Sequence, residues 1–196
     1  MTILHISDTH GLHRQLTKLP EADIVVHSGD FSMQGTEEEV FDFINWLCDL
    51  PYKYKIFIAG NHDDILSGGE IEGLDENCYY LNGTSITIEG IKFYGIPLFL
   101  EDQLDGRLER MIEKIPEDTD ILISHNAPLG IRDYSDGVNY GNTNLLYKVN
   151  EVKPKLHLFG HIHCQAGIDV INGITFSNGS VVSEGQIKYT PKAFQL

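Results

Sequence analysis

The 196-residue sequence predicts an α/β fold in which two mixed sheets pack together with helices on their outer faces. Short apolar runs alternate with a helical segment early in the chain, as expected for a sheet of parallel strands. Later runs alternate in polarity around Glu89-Gly90 and Asn172-Gly173, which indicates antiparallel hairpins. No internal repeat and no long Pro/Gly/Ser linker interrupts the chain, so a single domain over residues 1–196 is expected.

Residues 2–7 alternate polar and apolar side chains as a strand does. Four short, largely apolar segments have the composition of buried strands and occupy residues 23–27, 54–59, 121–124 and 156–159. The two hairpins add strands at 84–88 and 91–95 and at 168–171 and 174–177, and residues 186–189 are predicted as the last strand.

Two helices are predicted from capping residues and apolar periodicity. The first begins after Thr36, which forms a capping-box pattern with Glu39, and ends before Pro51. Its inward face is predicted to comprise Val40, Phe43, Ile44 and Leu47. The second is predicted over residues 105–115, before Pro116, with an inward face of Leu104, Leu108, Met111, Ile112 and Ile115. Residues 97–105 and 130–144 fit no regular element.

Composition excludes several classes of partner. The net charge of −15 disfavours broad contact with nucleic acid or an anionic membrane, although it permits a small phosphate substrate beside bound cations. No apolar run reaches the length of a membrane span. The first residues carry no basic signal segment, and the three cysteines (Cys48, Cys78 and Cys164) form no CxxC pair. A cytoplasmic protein with reduced thiols is therefore expected.

Potential metal ligands recur directly after the predicted strands. They are Asp8, His10, Asp30, Asn61, His125, His161 and His163. Residues two apart in an extended segment point the same way, so each of the pairs Asp8/His10 and His161/His163 can reach one ion. An isolated Asp-x-His could equally be a capping aspartate and a surface histidine. The shared position at strand ends, where ligands collect in layered α/β folds, favours one metal site.

Residues near the third strand suggest chemistry beyond metal binding. Asp30, after a glycine that permits a tight bend, could bridge two cations held about 3.5–4 Å apart. Asn61 could ligate without adding negative charge. His62 is placed to protonate a leaving alkoxide, and Asp63 could orient its imidazole. His5, His13, His27 and His157 fit no ligand spacing and are assigned no role.

These motifs resemble those of the calcineurin-like metallophosphoesterases, whose pattern D-x-H, G-D, G-N-H-[DE], H and G-H-x-H is complete between residues 8 and 163. The spacing of the first three motifs and the segment LPYKYKIFIAGNHDD resemble the small branch that includes the brain metallophosphodiesterases. The resemblance implies a four-layer α/β/β/α sandwich. It places one metal on Asp8, His10, Asp30 and His163, and a second on Asp30, Asn61, His125 and His161. His62 would be the general acid or transition-state stabiliser, and a hydroxide bridging the metals the nucleophile.

One departure from a subgroup bears on the substrate. The protein Ser/Thr phosphatases follow their second motif with an arginine, whereas residues 29–35 here read GDFSMQG. This difference disfavours phosphoprotein substrates and favours a phosphodiesterase acting on a small phosphate ester, for which a nucleotide is one candidate. A phosphomonoesterase, a nuclease and a non-catalytic metal-binding interaction module are the alternatives. The mixed ligands suit Mn²⁺, Fe, Zn²⁺ or Co²⁺, with Mn²⁺ favoured.

The irregular segment 130–144 is the predicted place for substrate selection. It carries Arg132, Tyr134 and Tyr140 among several Gly and Asn residues. The hypothesis is that it lies over the metals, with a tyrosine stacked on the ester group and Arg132 paired with a phosphate oxygen. A solvated loop is the alternative interpretation.

Overall fold

The computed structural model describes residues 1–196 and contains two large mixed sheets with helices outside them. Its strands, in chain order, are β1 (Thr2–Ile6), β2 (Ile24–Ser28), β3 (Tyr54–Ile58), β4 (Cys78–Tyr80), β5 (Thr84–Ile88), β6 (Ile91–Ile96), β7 (Ile121–Ser124), β8 (Tyr134–Ser135), β9 (Val138–Asn139), β10 (Leu156–Phe159), β11 (Gly167–Ile171), β12 (Ile174–Asn178), β13 (Val182–Ser183), β14 (Gln186–Ile187) and β15 (Lys192–Gln195). The α-helices are α1 (Glu37–Asp49), α2 (Leu100–Leu104), α3 (Arg107–Glu113) and α4 (Thr143–Val152). Short 3-10 helices cover His13–Gln15, Asp64–Leu66 and His163–Gln165.

The first sheet has the strand order β15-β1-β2-β3-β4. Strands β1 to β4 are parallel, and β15 pairs antiparallel with β1. Because parallel strands end at the same edge of a sheet, the segments that follow β1, β2 and β3 emerge together.

The second sheet has the strand order β11-β12-β10-β7-β6-β5. Its four central strands are parallel, whereas β5 and β11 are antiparallel edge strands. Both edge strands belong to the predicted hairpins, which are confirmed. Ser7 after β1 forms a parallel bridge with Ser180 after β12, so the carboxyl ends of the two sheets meet.

The alternation of side chains along the strands builds the layers. In β1 and β3, Ile3 and Ile56 pack with the second-sheet residues Phe93 and Ile121 in a cluster between the sheets. The opposite faces of the same strands pack against α1 in a second cluster. A third cluster joins the outer face of the second sheet to α3 and α4. The order of layers is therefore helix, sheet, sheet, helix, and the predicted fold class is confirmed.

Helix α1 begins as its sequence predicts. The Thr36 hydroxyl accepts the Glu39 amide and the Glu39 carboxylate accepts the Thr36 amide, which completes the capping box. Trp46 is buried on the inward face, whereas the predicted Ile44 is only half-buried.

The second predicted helix is divided in two. Gly106 has φ of +75° and separates α2 from α3, so the faces of the two segments are not continuous. Leu104, predicted to point inward, is instead 81% exposed at the end of α2. The remaining predicted inward positions, at 108, 111, 112 and 115, are buried.

Several elements differ from the sequence prediction. The short strands β8 and β9 lie within residues 130–144, for which no regular element is predicted. Helix α4, capped by the Asn142 side chain, begins at the end of that segment and continues over residues to which the sequence assigns no element. Only Gln186–Ile187 of the predicted last strand is extended, and the last strand of the fold is β15. No helix combines the length and the apolar character needed to cross a bilayer.

Candidate metal centre

The carboxyl ends of the two sheets bring six of the seven predicted ligands together in two clusters. The first cluster comprises Asp8, His10, Asp30 and His163, and the second comprises Asp30, His125 and His161. Within each cluster the potential ligand atoms all lie within 4.8 Å of one another. Asp30 belongs to both clusters, which is the position required of a bridging carboxylate.

The distances between donor atoms suit ligands of a shared ion. The Nε2 atoms of His10 and His163 are 3.1 Å apart, and His163 Nε2 lies 3.3 Å from Asp8 Oδ1. In the second cluster His125 Nε2 lies 3.3 Å from Asp30 Oδ2. Atoms that bind one ion at about 2.1 Å lie about 3.0–3.4 Å apart in octahedral or tetrahedral arrangements, so these spacings fit a metal.

Two of the predicted donor atoms are buried and have no hydrogen-bond partner: Asn61 Oδ1, in the loop after β3, and His125 Nε2, in the second cluster. A buried polar atom without a partner costs free energy unless something else binds it. His125 Nδ1 donates to the Ser28 carbonyl at 2.8 Å, which leaves the Nε2 lone pair directed at the cluster. The donor set of imidazole, carboxylate and amide groups therefore fits two divalent cations.

Asp8 is held as an anion by its neighbours. Its Oδ2 accepts the Ser180 hydroxyl at 2.7 Å, and both of its oxygens accept the His161 amide. Burial opposes ionisation, but these donors and the His163 and His125 rings outweigh it, so the pKa of Asp8 lies well below its ordinary value. Asn178 Oδ1 accepts the Ser180 backbone amide at 3.1 Å and so positions the residue that carries this hydroxyl.

Asp30 and His125 influence each other's protonation across the second cluster. Burial disfavours charge on both, but their mutual attraction is stronger: the pKa of Asp30 is lowered and that of His125 is raised to about 9. A divalent cation at this point would replace the proton that the carboxylates otherwise attract.

The backbone at the site adopts unusual conformations. Asp8, His10, Asp30 and His161 all have positive φ values, between 43° and 70°, in the left-handed region that non-glycine residues rarely occupy. Four of the seven predicted ligands therefore share this strain, which is typical of functional sites.

Two motif glycines leave room for the carboxylates. A Cβ atom on Gly60 would overlap the Asp30 carboxylate, and one on Gly160 would overlap the Asp8 carboxylate and the Ser7 side chain. Close approach of the backbone therefore explains why glycine precedes both Asn61 and His161.

His62 lies beside the first cluster without belonging to it. Its Nδ1 donates to the Met33 carbonyl at 2.8 Å, and its ring centroid is 4.7 Å from that of His10 in an edge-on arrangement. Nε2 is therefore the ring nitrogen that this hydrogen bond leaves free.

Asp63 does not orient His62, contrary to the sequence prediction. Its Oδ2 accepts the amides of Asp30 and Gly60 at 2.9 and 2.8 Å, while Oδ1 accepts the amide and hydroxyl of Ser32. It is fully buried, and burial and the nearby Asp30 charge raise the pKa of Asp63 to about 7. Asp63 joins the loops after β2 and β3, and the Met33 carbonyl holds the His62 ring.

The histidines that were assigned no role lie outside both clusters. His5 contacts the hydroxyls of Ser177 and Ser28, and His27 and His157 each contact one hydroxyl. Burial lowers the pKa of these three histidines to about 3, so they are neutral parts of the core. His13 pairs with Asp42.

Segment 130–144 contacts the turn His163–Gln165, but Arg132 is already bound within the protein. Its guanidinium donates to the carbonyls of Gln165 and Ile168 and to the Asp169 carboxylate. The suggested pairing of Arg132 with a phosphate oxygen is therefore not supported. Tyr134 and Tyr140 are about half exposed, and the Tyr134 carbonyl accepts the Gln165 side-chain amide at 2.8 Å, close to His163 in sequence.

Four supporting groups were not predicted from the sequence: the carbonyls of Ser28 and Met33 and the side chains of Asn178 and Ser180. The two side chains stand at the end of β12, the same position that marked the ligands, so this signal was available. The two carbonyls carry no sequence signal, because every residue has one.

Comparison with known proteins agrees with this site. Residues 1–165 match the model of the calcineurin-like phosphoesterase family. UPF0046 protein K07C11.7 of Caenorhabditis elegans is 32% identical over 219 residues, covering 100% of this chain and 75% of that protein. Metallophosphoesterase domain-containing protein 1 of Homo sapiens is 33% identical over 223 residues, covering 95% and 67%.

A solved structure shares the fold at low sequence identity. The crystal structure of TT1561 of Thermus thermophilus aligns with a TM-score of 0.58 and 14% identity, covering 90% of this chain and 88% of that one. The family match over residues 1–165 and the two relatives above 30% identity show that the chain belongs to the calcineurin-like phosphoesterase family.

Proposed function

We propose that the protein is a hydrolase of phosphate esters that uses two divalent metal ions and prefers phosphodiesters. The observation that carries this proposal is the membership of Asp30 in both ligand clusters. A two-metal hydrolytic site needs a carboxylate shared between its two ligand sets, whereas a single structural metal needs no shared ligand.

The residues assigned to the metals are those in the two clusters together with Asn61. When bound, the two cations supply an activated water and neutralise charge on the phosphoryl oxygens. Imidazole nitrogens mixed with carboxylate and amide oxygens suit Mn²⁺, Fe, Zn²⁺ or Co²⁺, and we favour Mn²⁺. Asn61 adds an oxygen donor without adding charge, which keeps the cations strongly electrophilic.

His62 is the proposed proton donor to the departing alkoxide. Its Nδ1 is committed to the Met33 carbonyl, so Nε2 is the nitrogen that can transfer a proton. The packing of its ring against His10 places it next to the first cluster rather than within it. A group in this position can act on the ester oxygen without displacing a metal.

The preference for diesters rests on charge. The segment after Asp30 contains Phe31 and Ser32, both buried, and no cationic side chain to meet the second charge of a monoester. The net charge of −15 also favours a less highly charged substrate.

We propose a small phosphate ester as substrate, with a nucleotide as one candidate, and neither nucleic acid nor a membrane as partner. A cytoplasmic location stays a prediction from the three free cysteines.

Steady-state hydrolysis of bis(p-nitrophenyl) phosphate and of p-nitrophenyl phosphate tests the proposal. The protein is stripped with chelator and then reloaded with Mn²⁺. We expect a higher kcat/KM for the diester, and no hydrolysis before Mn²⁺ is restored. A higher value for the monoester would keep the two-metal site and make the protein a phosphomonoesterase. No hydrolysis of either ester by protein that holds two metals would favour a binding module.

A further inference from the structure

We infer, on the basis of the proposed metal pair, that Arg132 is a positioning residue that sets the place of His163 in the first cluster. No hydrogen bond from outside the first cluster holds the His163 ring. Its ring contacts are with Asp8 and His10, which are themselves in the cluster, and its side chain is 32% exposed. By contrast, His125 is fully buried and is fixed from behind by the Ser28 carbonyl.

The backbone must therefore hold His163 in place. His163 begins a single 3-10 turn, His163–Gln165, that lies outside both large sheets and has no side-chain cap. On its amino-terminal side the Asn178 side-chain amide donates to the Ile162 carbonyl at 2.9 Å. On its carboxyl-terminal side the support comes from Arg132.

The Arg132 guanidinium joins the turn to the start of β11. Its Nη1 donates to the Gln165 carbonyl at 3.1 Å, and its Nη2 donates to the Ile168 carbonyl and the Asp169 carboxylate, both at 2.9 Å. Three acceptors from two segments thus converge on one planar group. A lysine ammonium carries its charge at a single point and cannot reproduce this fork.

The neighbouring backbone packs closely against the Arg132 side chain. A Cβ atom on Gly167 would overlap the guanidinium, and Gly167 has φ of +153°, so the backbone passes directly against Arg132. Arg132 itself has φ of +49°, an unfavourable value for a non-glycine residue, and its side chain is only 22% exposed. This strain and close fit are unusual for a surface ion pair.

The turn is also tied to the hairpin of β8 and β9. Gln165 Nε2 donates to the Tyr134 carbonyl at 2.8 Å, two residues beyond Arg132. The Arg132 side chain and strand β8 therefore both bind the turn His163–Gln165. Loss of the guanidinium would free the carboxyl-terminal half of the turn and let His163 move away from Asp8.

Titration of metal-free protein with Mn²⁺, followed by calorimetry, tests the inference without any need for turnover. Arg132→Lys is compared with wild type and with Arg110→Lys, a control in which the arginine also contacts a backbone carbonyl and a carboxylate but lies on α3. Loss of a group that orients a ligand commonly weakens metal binding about 10–100-fold. We expect a loss of this size in one of the two binding steps for Arg132→Lys, and none for Arg110→Lys.

A double-mutant comparison separates positioning from general loss of structure. If Arg132 acts through His163, Arg132→Lys should cause no further loss of Mn²⁺ affinity in a His163→Ala background. Additive losses, or an unchanged titration for Arg132→Lys, would overturn the inference. If Arg132→Lys fails to fold, Asp169→Asn replaces it as the variant, because it weakens one hydrogen bond of the guanidinium. An unchanged Mn²⁺ titration of Asp169→Asn would also overturn the inference. Wild-type protein that binds two Mn²⁺ but hydrolyses no phosphate ester would instead refute the proposed function alone.

Discussion

The backbone amide of His62 donates to Oδ1 of Asp30 at 2.8 Å, so the loop after β3 holds a carboxylate of the loop after β2. The same two loops are joined a second time through Asp63, which accepts the amides of Asp30 and Gly60. Asp30 is therefore held twice by the loop after β3: the His62 amide donates to its carboxylate, and its own amide donates to Asp63. Rigid support of this kind is what keeps a ligand in place when a metal is exchanged.

Asp63→Asn should lower both stability and metal affinity. An amide nitrogen in place of one oxygen would face backbone N–H donors, and leaving these unpaired in the buried site costs about 1–3 kcal/mol. Metal affinity should fall about 10–100-fold because the amide of Asp30 loses its acceptor. Urea unfolding and Mn²⁺ titration measure the two effects. The matched control is Asp64→Asn at the exposed neighbouring position, and equal behaviour of the two variants would contradict the role given to Asp63.

Gly160→Ala should damage the first cluster directly. The new methyl group would overlap the Asp8 carboxylate, and relief of the overlap requires movement of Asp8 or of the loop that carries His161. Overpacking of this kind costs about 1–3 kcal/mol, and Mn²⁺ binding should weaken as well. Gly69→Ala is the control, since its Cβ atom would meet only ordinary contacts. Normal Mn²⁺ binding by Gly160→Ala would show that the close approach is unimportant.

His62→Ala should retain both metals and lose rate according to the leaving group. A proton donor commonly contributes about 10²–10⁴-fold, and the contribution is greatest when the departing alkoxide is strongly basic. We expect a larger fall in kcat for an alkyl ester than for a p-nitrophenyl ester. Elemental analysis of the variant provides the control. Loss of metal, or an equal fall for both esters, would assign His62 another role.

His157 should make the fold less stable in acid. Its pKa is about 3 in the fold and about 6.5 in the unfolded chain, so only the unfolded chain binds the proton between these values. The stabilising effect of keeping His157 neutral is complete above about pH 6.5 and is lost as the pH falls toward 3. The slope for one proton is at most about 1.4 kcal/mol per pH unit.

His157→Leu isolates this effect, because the Ser124 hydroxyl that contacts His157 also donates to the Asn126 carbonyl and keeps that partner. Urea unfolding of the metal-free proteins between pH 4 and 7 is the measurement, where the range follows from the two pKa values at about 3 and 6.5. The free energy of unfolding of the variant should fall less steeply with acid than that of wild type. An equal pH dependence of the free energy of unfolding in wild type and variant would contradict the neutral, buried state of His157.

The fold could be predicted where local pattern and tertiary packing agree. The capping box of α1 and the hairpin turns at Glu89-Gly90 and Asn172-Gly173 are local features, and each appears as expected. Helix α4 was not predicted, because its N-cap Asn142 lies within a run of Gly and Asn residues that resembles a loop. Strand β15 depends on pairing with β1, a contact between the two ends of the chain that periodicity cannot reveal.

The six clustered residues could be predicted because all of them follow the end of a strand. Asp63 was misassigned because adjacency to His62 in sequence suggested a contact, whereas its oxygens turn toward the amides of the loop after β2. The His62 and His125 rings are held by backbone carbonyls, and residue types do not indicate which carbonyls will do so. The role of Arg132 depends on the course of β11 after the ligand turn.

Mn²⁺ titration of metal-free protein, with hydrolysis of bis(p-nitrophenyl) phosphate followed in parallel, tests most directly the claim that Asp30 joins two metal sites. Activity of the wild type should rise until two equivalents are bound, and Asp30→Asn should bind neither ion tightly and show almost no turnover. Full activity at one equivalent, or turnover by Asp30→Asn close to that of wild type, would contradict a metal pair bridged by Asp30.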